Sequence, residues 1–335
     1  MCWNIANPYD LTPQEMLSIY EARWHFTDVL GSPSDEEKDY IRAIGQRFKG
    51  LPLIMDDQSK QDIFESINTV IEQLDKNLFV ERQIVLGGGA LIGLKYQQLR
   101  TLLRSRVCFA NLDAVRPCSD LDFLVSPKNF QQLRAGISGG QSIFRRQEGF
   151  RASEPRIDRY GIRYPLFIER GDRETALKLE IIADYNLEID KPETYNDLPC
   201  LNLVDRLAAK LMANADRWGD DSTFSRDLID LAIIANARNS LPKKAYLKSE
   251  LVYPDAITAL KEALIKFQSF PERREKCYEA LQISRAELII NGIDYMASKF
   301  DLEPTQRTFD ETDFSCFRFR VKVKDRIRKL RNYKC

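Results

Sequence analysis

The sequence predicts a mixed α+β fold: a small mixed β-sheet core preceded by a helical segment and followed by a helical domain. Three observations carry this prediction. A short apolar run, Gln83 to Leu86, ends in Gly87-Gly88-Gly89 and gives way to a helical period from Ala90 to Leu103. A second strand, Leu121 to Val125, is followed by Ser126-Pro127, which reads as an N-cap and first helical residue. Two further strands, Gly161 to Glu169 and Ala176 to Ala183, flank Gly171-Asp172 and should form an antiparallel hairpin.

Residues 1–75 read as helical. Thr12-Pro13-Gln14-Glu15 opens one helix, with Met16, Ile19, Tyr20 and Trp24 as its apolar face, and Ser32-Pro33 opens another. Residues 76–198 form the expected core, in which Gly136 and Gly139-Gly140 end the helix begun at Pro127. Residues 199–335 are expected to be helical: Val204, Leu207, Ala208, Leu211 and Met212 keep one face, and Leu228, Leu231, Ala232 and Ile234 keep another. Later helices are expected at about 254–268 and 283–299, and the chain shows no internal repeat.

Composition excludes several functional classes. The chain has 335 residues and no net charge, and no apolar run approaches the roughly 20 residues needed to span a bilayer. No secretory signal is legible at the N-terminus, so a cytoplasmic protein with no membrane partner is expected. Seven cysteines are scattered without a C-x-x-C pair, which argues against a zinc site and a disulfide framework. One histidine, His25, lies between Trp24 and Phe26 in a packed-helix pattern. The chemistry must therefore rest on carboxylates, lysine, arginine and backbone. Nine Lys/Arg between Arg318 and Lys334, against Asp325 alone, make a basic tail that reads either as a solvated element or as a contact for phosphate.

Asp120 and Asp122 share one side of their strand, because positions i and i+2 face together, while Leu121, Phe123 and Val125 point to the core. Two carboxylates held so close repel unless a cation lies between them, and Mg2+, or Mn2+, suits hard oxygen ligands. The alternative is an acidic strand end facing solvent. Gly87, Gly88 and Gly89 stand where backbone can approach a phosphate and helix N-terminal amides can bind its oxygens, or they make a tight turn only. Neither the dinucleotide fingerprint nor the Walker A pattern fits: the first requires glycine at Ile92, and in the second Leu94 separates Gly93 from Lys95. Glu180, in the apolar strand Lys178 to Ile182, would complete a metal-binding set with Asp120 and Asp122, or face solvent from an edge.

The order Gly-Gly-x-Ala-Leu, then Arg116-x-x-Ser119-Asp120-Leu-Asp122-Phe123, then Lys-Leu-Glu-Ile from 178 to 181 resembles the DNA-polymerase-β-type nucleotidyltransferase superfamily. The segment Leu203 to Leu211, then Arg217, then Arg226 to Leu231, is similar to the AbiEii/AbiGii-type toxin branch, and the resemblance covers about residues 80–240. It implies transfer of a nucleoside monophosphate from an NTP to an acceptor, an EC 2.7.7-type reaction, with tRNA 3′ ends as acceptor in related toxins and a cognate antitoxin as partner. Carried onto this chain, it implies that Gly87 and Gly88 hold the triphosphate and that Asp120 and Asp122 bind Mg2+. Glu180 would be a third ligand or the base for the attacking hydroxyl. Lys210 and Asp227 match the branch's functional lysine and aspartate, contacting nucleotide phosphates and orienting that lysine; an interhelical ion pair is the plainer alternative.

Arg116, Ser119 and Gly89 join the expected nucleotide-binding set, and Arg116 and Arg217 could pair with phosphate or with these acids. Arg145, Arg146, Arg151, Arg156, Arg159 and Arg163 could supply contacts to an RNA backbone. Three departures from the pattern stand out. Gly89 replaces the usual Ser or Thr, the third acid is Glu rather than Asp, and an insertion within 102–114 separates Gly89 from Ser119. Two other readings fit the residues: a nucleotide-binding regulator without turnover, and a transferase acting on a protein or a small molecule.

Overall fold

The computed structural model describes residues 11–23, 35–48, 60–102, 115–170, 173–183, 188–238 and 241–312. Helix α1 (Pro13–Arg23) starts as the sequence predicts: Thr12 Oγ1 accepts from the Glu15 amide at 3.3 Å, and Glu15 accepts from the Thr12 amide at 2.8 Å, a reciprocal capping box. It packs on α2 (Asp35–Phe48) through Leu17, Tyr20, Ile41 and Ile44. The Ser32-Pro33 start, His25, the Gly171-Asp172 turn, the basic tail and all but Leu102 of the expected insertion lie outside the described residues.

Helix α3 (Lys60–Gln73) buries Phe64, Ile67, Val70 and Ile71 in the main core, and the short α4 (Lys76–Glu81) adds Leu78 and Phe79. Strand β1 (Val85–Leu86) is shorter than the expected run from Gln83, because Gln83 turns at φ 52° and cannot continue a strand. Helix α5 (Gly88–Leu102) follows at once. Strand β2 (Asp120–Val125) alternates as its sequence requires, with Leu121, Phe123 and Val125 in the core. Helix α6 (Pro127–Ser138) is N-capped by Ser126 and C-capped by Gly139; Gly136, expected to end it, lies inside.

Strands β3 (Phe150–Ala152) and β4 (Arg156–Ile157) pair with β5 (Gly161–Arg170), which forms the expected antiparallel hairpin with β6 (Arg173–Ala183). Strands β7 (Glu193–Tyr195) and β8 (Leu198–Cys200) make a second hairpin that the sequence reading missed. Its turn residues Asn196 and Asp197 have φ of 46° and 63°, the signature of a two-residue hairpin turn, and the Asn-Asp pair was the legible signal. The sheet order is β3-β5-β6-β2-β1-β8-β7, mixed because β2 runs parallel to β6 and β1 parallel to β8 while the other pairs are antiparallel. The sheet thus extends through Leu198–Cys200, just past residue 198 where the core was expected to end.

The helical part comprises α7 (Leu203–Arg217), α8 (Arg226–Arg238), α9 (Lys243–Val252), α10 (Ala256–Ser269), α11 (Pro271–Ala280) and α12 (Ala286–Ala297). Helices α10 and α12 occupy the stretches expected near 254–268 and 283–299. Helices α9 and α11 were not foreseen, although Pro271 at the first position of α11 is an ordinary start signal. One continuous apolar core joins α3, the sheet, α7, α8 and α10 to α12. No helix among the described residues is long and apolar enough to cross a membrane.

Candidate functional site

Four consecutive strands bring the predicted residues to one place. In the parallel register of β2 and β6, Asp120 stands beside Lys178 and Asp122 beside Glu180, so three carboxylates share one face of two neighbouring strands. β1 lies on the other side of β2 and delivers the glycine turn. The Gly87 amide donates to the Asp122 carbonyl at 2.8 Å, which fixes the turn against β2. Gly88 has φ +67°, and a β-carbon there would overlap the Asp122 carboxylate, so only glycine serves.

Helix α7 closes the other wall. Gly88, Gly89, Arg116, Asp120, Asp122, Lys178, Glu180, Lys210 and Arg217 line one cavity of about 350 Å³, together with the apolar side chains of Leu124, Ile182, Leu201, Ala209 and Ala213. Cys118, Arg206 and Arg226 also line it; the sequence reading assigned a site role to none of them, and the i, i+4 spacing of Arg206 from Lys210 on α7 was an available signal. Gly87 and Ser119 do not line the cavity. Gly87 packs against Leu201 and Leu124, and the Ser119 carbonyl accepts the Lys178 amide at 2.9 Å.

The two walls differ electrostatically. On the strand wall, burial together with the neighbouring Asp120 and Glu180 pushes the Asp122 carboxyl up to about 6. Lys178 spans the other two acids, 3.3 Å from Asp120 and 3.1 Å from Glu180, and Arg163 donates to Glu180 at 2.8 Å. Glu180 therefore faces the site from the sheet interior and not solvent from an edge. On the helical wall, Lys210 lies 3.0 Å from Asp227 and 2.7 Å from Asp230. Arg217 grips Asp227 through two nitrogens at 3.1 and 2.7 Å, and Arg116 grips Asp230 through two at 3.1 Å. Burial pushes the Asp227 carboxyl up, but Lys210 and Arg217 outweigh it and hold the group at about 2. The expected pairing of Lys210 with Asp227 is present and Arg217 pairs with that aspartate, whereas Arg116 pairs with Asp230, an acid outside the expected site set.

Gly89 has its own reason. A side chain there would run into the Arg116 guanidinium, so the space of a Ser or Thr hydroxyl is taken by a cation already tied to Asp230.

The donor chemistry of Asp120 and Asp122 suits a hard divalent cation: Asp122 is a half-buried carboxylate crowded by like charge, and charge neutralisation is what it lacks. Among the described residues no three acidic, cysteine or histidine side chains are arranged as a ready ligand set, because Glu180 is held by Lys178 and Arg163. Two carboxylates fit, and the third would have to exchange its partners. Of the arginines considered for RNA contact, Arg163 serves Glu180 and Asp158, Arg151 meets Glu174 and the Phe167 ring, and Arg146 meets Glu148. Cys118, Cys200 and Cys277 are buried free thiols.

No curated protein sequence matches this chain. A Helicobacter pylori protein crystallised as a candidate nucleotidyltransferase is similar over 76% of this chain and 100% of its own, at 16% identity and a TM-score of 0.40. JHP933 from Helicobacter pylori is similar over 74% and 97%, at 14% identity and a TM-score of 0.38. The Megavirus polyadenylate synthase covers 76% of this chain with 45% of its own, at 13% identity and a TM-score of 0.23. The family model described as nucleotidyl transferase AbiEii toxin, type IV TA system, matches residues 73–275, a span that contains the glycine turn, both walls of the cavity and every candidate site residue. This chain belongs to the AbiEii nucleotidyl transferase toxin family.

Proposed function

We propose that the chain transfers a nucleoside monophosphate from an NTP to the 3′ hydroxyl of an RNA, with tRNA as the expected acceptor, and that it acts as the toxin of a toxin-antitoxin pair with a cognate antitoxin opposing it. The observation that carries this reading is the in-register placement of Asp120, Asp122 and Glu180 beside the Gly88 turn, in one cavity with Lys210. Mg2+, or Mn2+, held by Asp120 and Asp122, would supply charge neutralisation for the triphosphate and acidify the attacking hydroxyl.

The remaining work falls to the chain itself. Gly88 and Gly89 open α5, whose first amides lack intrahelical acceptors and suit phosphate oxygens. The acceptor oxygen bonds to the α-phosphorus as the bond to the β-phosphate bridging oxygen breaks, and pyrophosphate leaves. Glu180 is the candidate to take the hydroxyl proton once Lys178 or Arg163 releases it. Lys210, anchored between Asp227 and Asp230, presents a positive charge to the phosphates without being free to swing away.

The engagement of Glu180 by two cations favours a second reading, a nucleotide-binding regulator without turnover. Incubating purified protein with Mg2+, each labelled NTP in turn and total tRNA separates the two. Label should enter RNA with the native chain and fall to background with Asp120→Ala/Asp122→Ala. Metal-dependent NTP binding without transfer would favour the regulator, or a protein or small-molecule acceptor.

A further inference from the structure

Three of the cavity's cations, Arg116, Lys210 and Arg217, are each held at close range by buried carboxylates. Arg206 is not. It is 6% exposed, yet its nearest carboxylate oxygen belongs to Glu193, at 3.5 Å, and Glu193 is itself 44% exposed and shared with Lys95. One further nitrogen contact runs to the Leu201 carbonyl at 3.3 Å, and Nε is buried with no partner among the described residues. Burial lowers the Arg206 pKa and Glu193 only partly opposes it, the reverse of the balance at Arg116. A buried guanidinium that lines the cavity without a buried carboxylate of its own calls for an anion.

The sheet order says which anion. Along β6-β2-β1-β8 come Glu180, then Asp120 and Asp122, then the glycine turn after β1, then Leu201 and Arg206 after β8. With strands about 4.8 Å apart, the backbone of β8 stands roughly 10 Å beyond the aspartate strand, on the far side of the phosphate-accepting turn. If the α-phosphorus reacts at the aspartates, the triphosphate tail runs over Gly88 towards Arg206 and away from Glu180. We propose that Arg206 is a contact for the β,γ-phosphates of the bound NTP and that it sets the direction in which the nucleotide lies. This rests on the NTP-dependent reading above.

The test is equilibrium binding of Mg2+-pyrophosphate, of each NTP and of the matching NMP to the full chain. Arg206→Met should weaken pyrophosphate and NTP by about ten- to a hundredfold, the range for one hydrogen bond to a charged group, while NMP affinity stays within about twofold. Turnover should show KM for NTP raised far more than kcat is lowered, with partial recovery in Arg206→Lys. Glu193→Gln removes the competing carboxylate and should tighten pyrophosphate binding about two- to fivefold, a gain that should vanish when Arg206→Met is added. Glu193→Gln also carries the test should Arg206→Met fail to fold. Unchanged pyrophosphate affinity in either variant, or equal losses for NMP and NTP in Arg206→Met, would overturn the assignment alone. Absence of any NTP and pyrophosphate binding by the native chain would overturn it together with the nucleotidyltransferase reading.

Discussion

The strand wall and the helical wall of the cavity hold equally reactive side chains in opposite electrostatic states. On β2 and β6 the acids stand close to one another with too little positive charge, and Asp122 is pushed up to about 6. On α8 two aspartates share Lys210 of α7 and each has an arginine of its own, Arg217 on Asp227 and Arg116 on Asp230, and Asp227 is held at about 2. The first wall is short of positive charge. The second is complete before anything binds, so it can locate Lys210 and the first wall's ligands relative to one another without reorganising.

The largest effect should come from breaking the helical wall. Lys210→Met leaves Asp227 and Asp230 buried with one partner each, and urea melts should show a loss of about 3 kcal/mol or more together with loss of transfer. A change below about 0.5 kcal/mol would mean that Arg116 and Arg217 alone neutralise the pair. Next is the hinge between the walls. Gly88→Ala puts a β-carbon into the Asp122 carboxylate at a backbone conformation L residues avoid, and should cost about 2 kcal/mol and weaken metal binding. Calorimetric titration with Mg2+ checks the second half of that prediction.

Acid sharpens the comparison. The Asp227 pKa is depressed in the fold, from an unfolded value near 3.9, so its contribution is fully present above about pH 4 and disappears as pH falls through about 2. It should amount to the order of 2 kcal/mol, and the stability gap between the native chain and Asp227→Asn should narrow between pH 5 and 2. A gap constant with pH would show that the helical wall does not depend on this carboxylate's charge. The smallest effect is expected from Gly89→Ser. The added side chain crowds Arg116 against Asp230, so stability should drop by about 1 kcal/mol and transfer should not rise. A gain in transfer would mean that Arg116 moves aside and the hydroxyl serves after all.

How far the site was legible varies residue by residue. Asp120, Asp122, the glycine turn and Glu180 could be read because strand alternation and a strand-to-helix turn leave short-range patterns. The hairpin of β7 and β8 escaped because each strand spans three residues, too few for alternation to register, although Asn196-Asp197 marked its turn. Asp230 escaped as well. It sits three residues beyond Asp227 on α8, where an aspartate is unremarkable until Arg116 and Lys210 arrive from elsewhere in the chain.

Sequence by itself determined the types of the elements it located, the acidic face of β2 and the exclusion of a site built on two histidines, since these follow from local periodicity and residue inventory. Tertiary structure decided the partners. Whether Arg116 meets phosphate or Asp230, whether Gly89 is a loss or a necessity, and whether Arg206 is neutralised or left waiting depend on contacts between residues far apart in sequence. Burial sets the strength of those contacts, and burial is a property of the assembled fold.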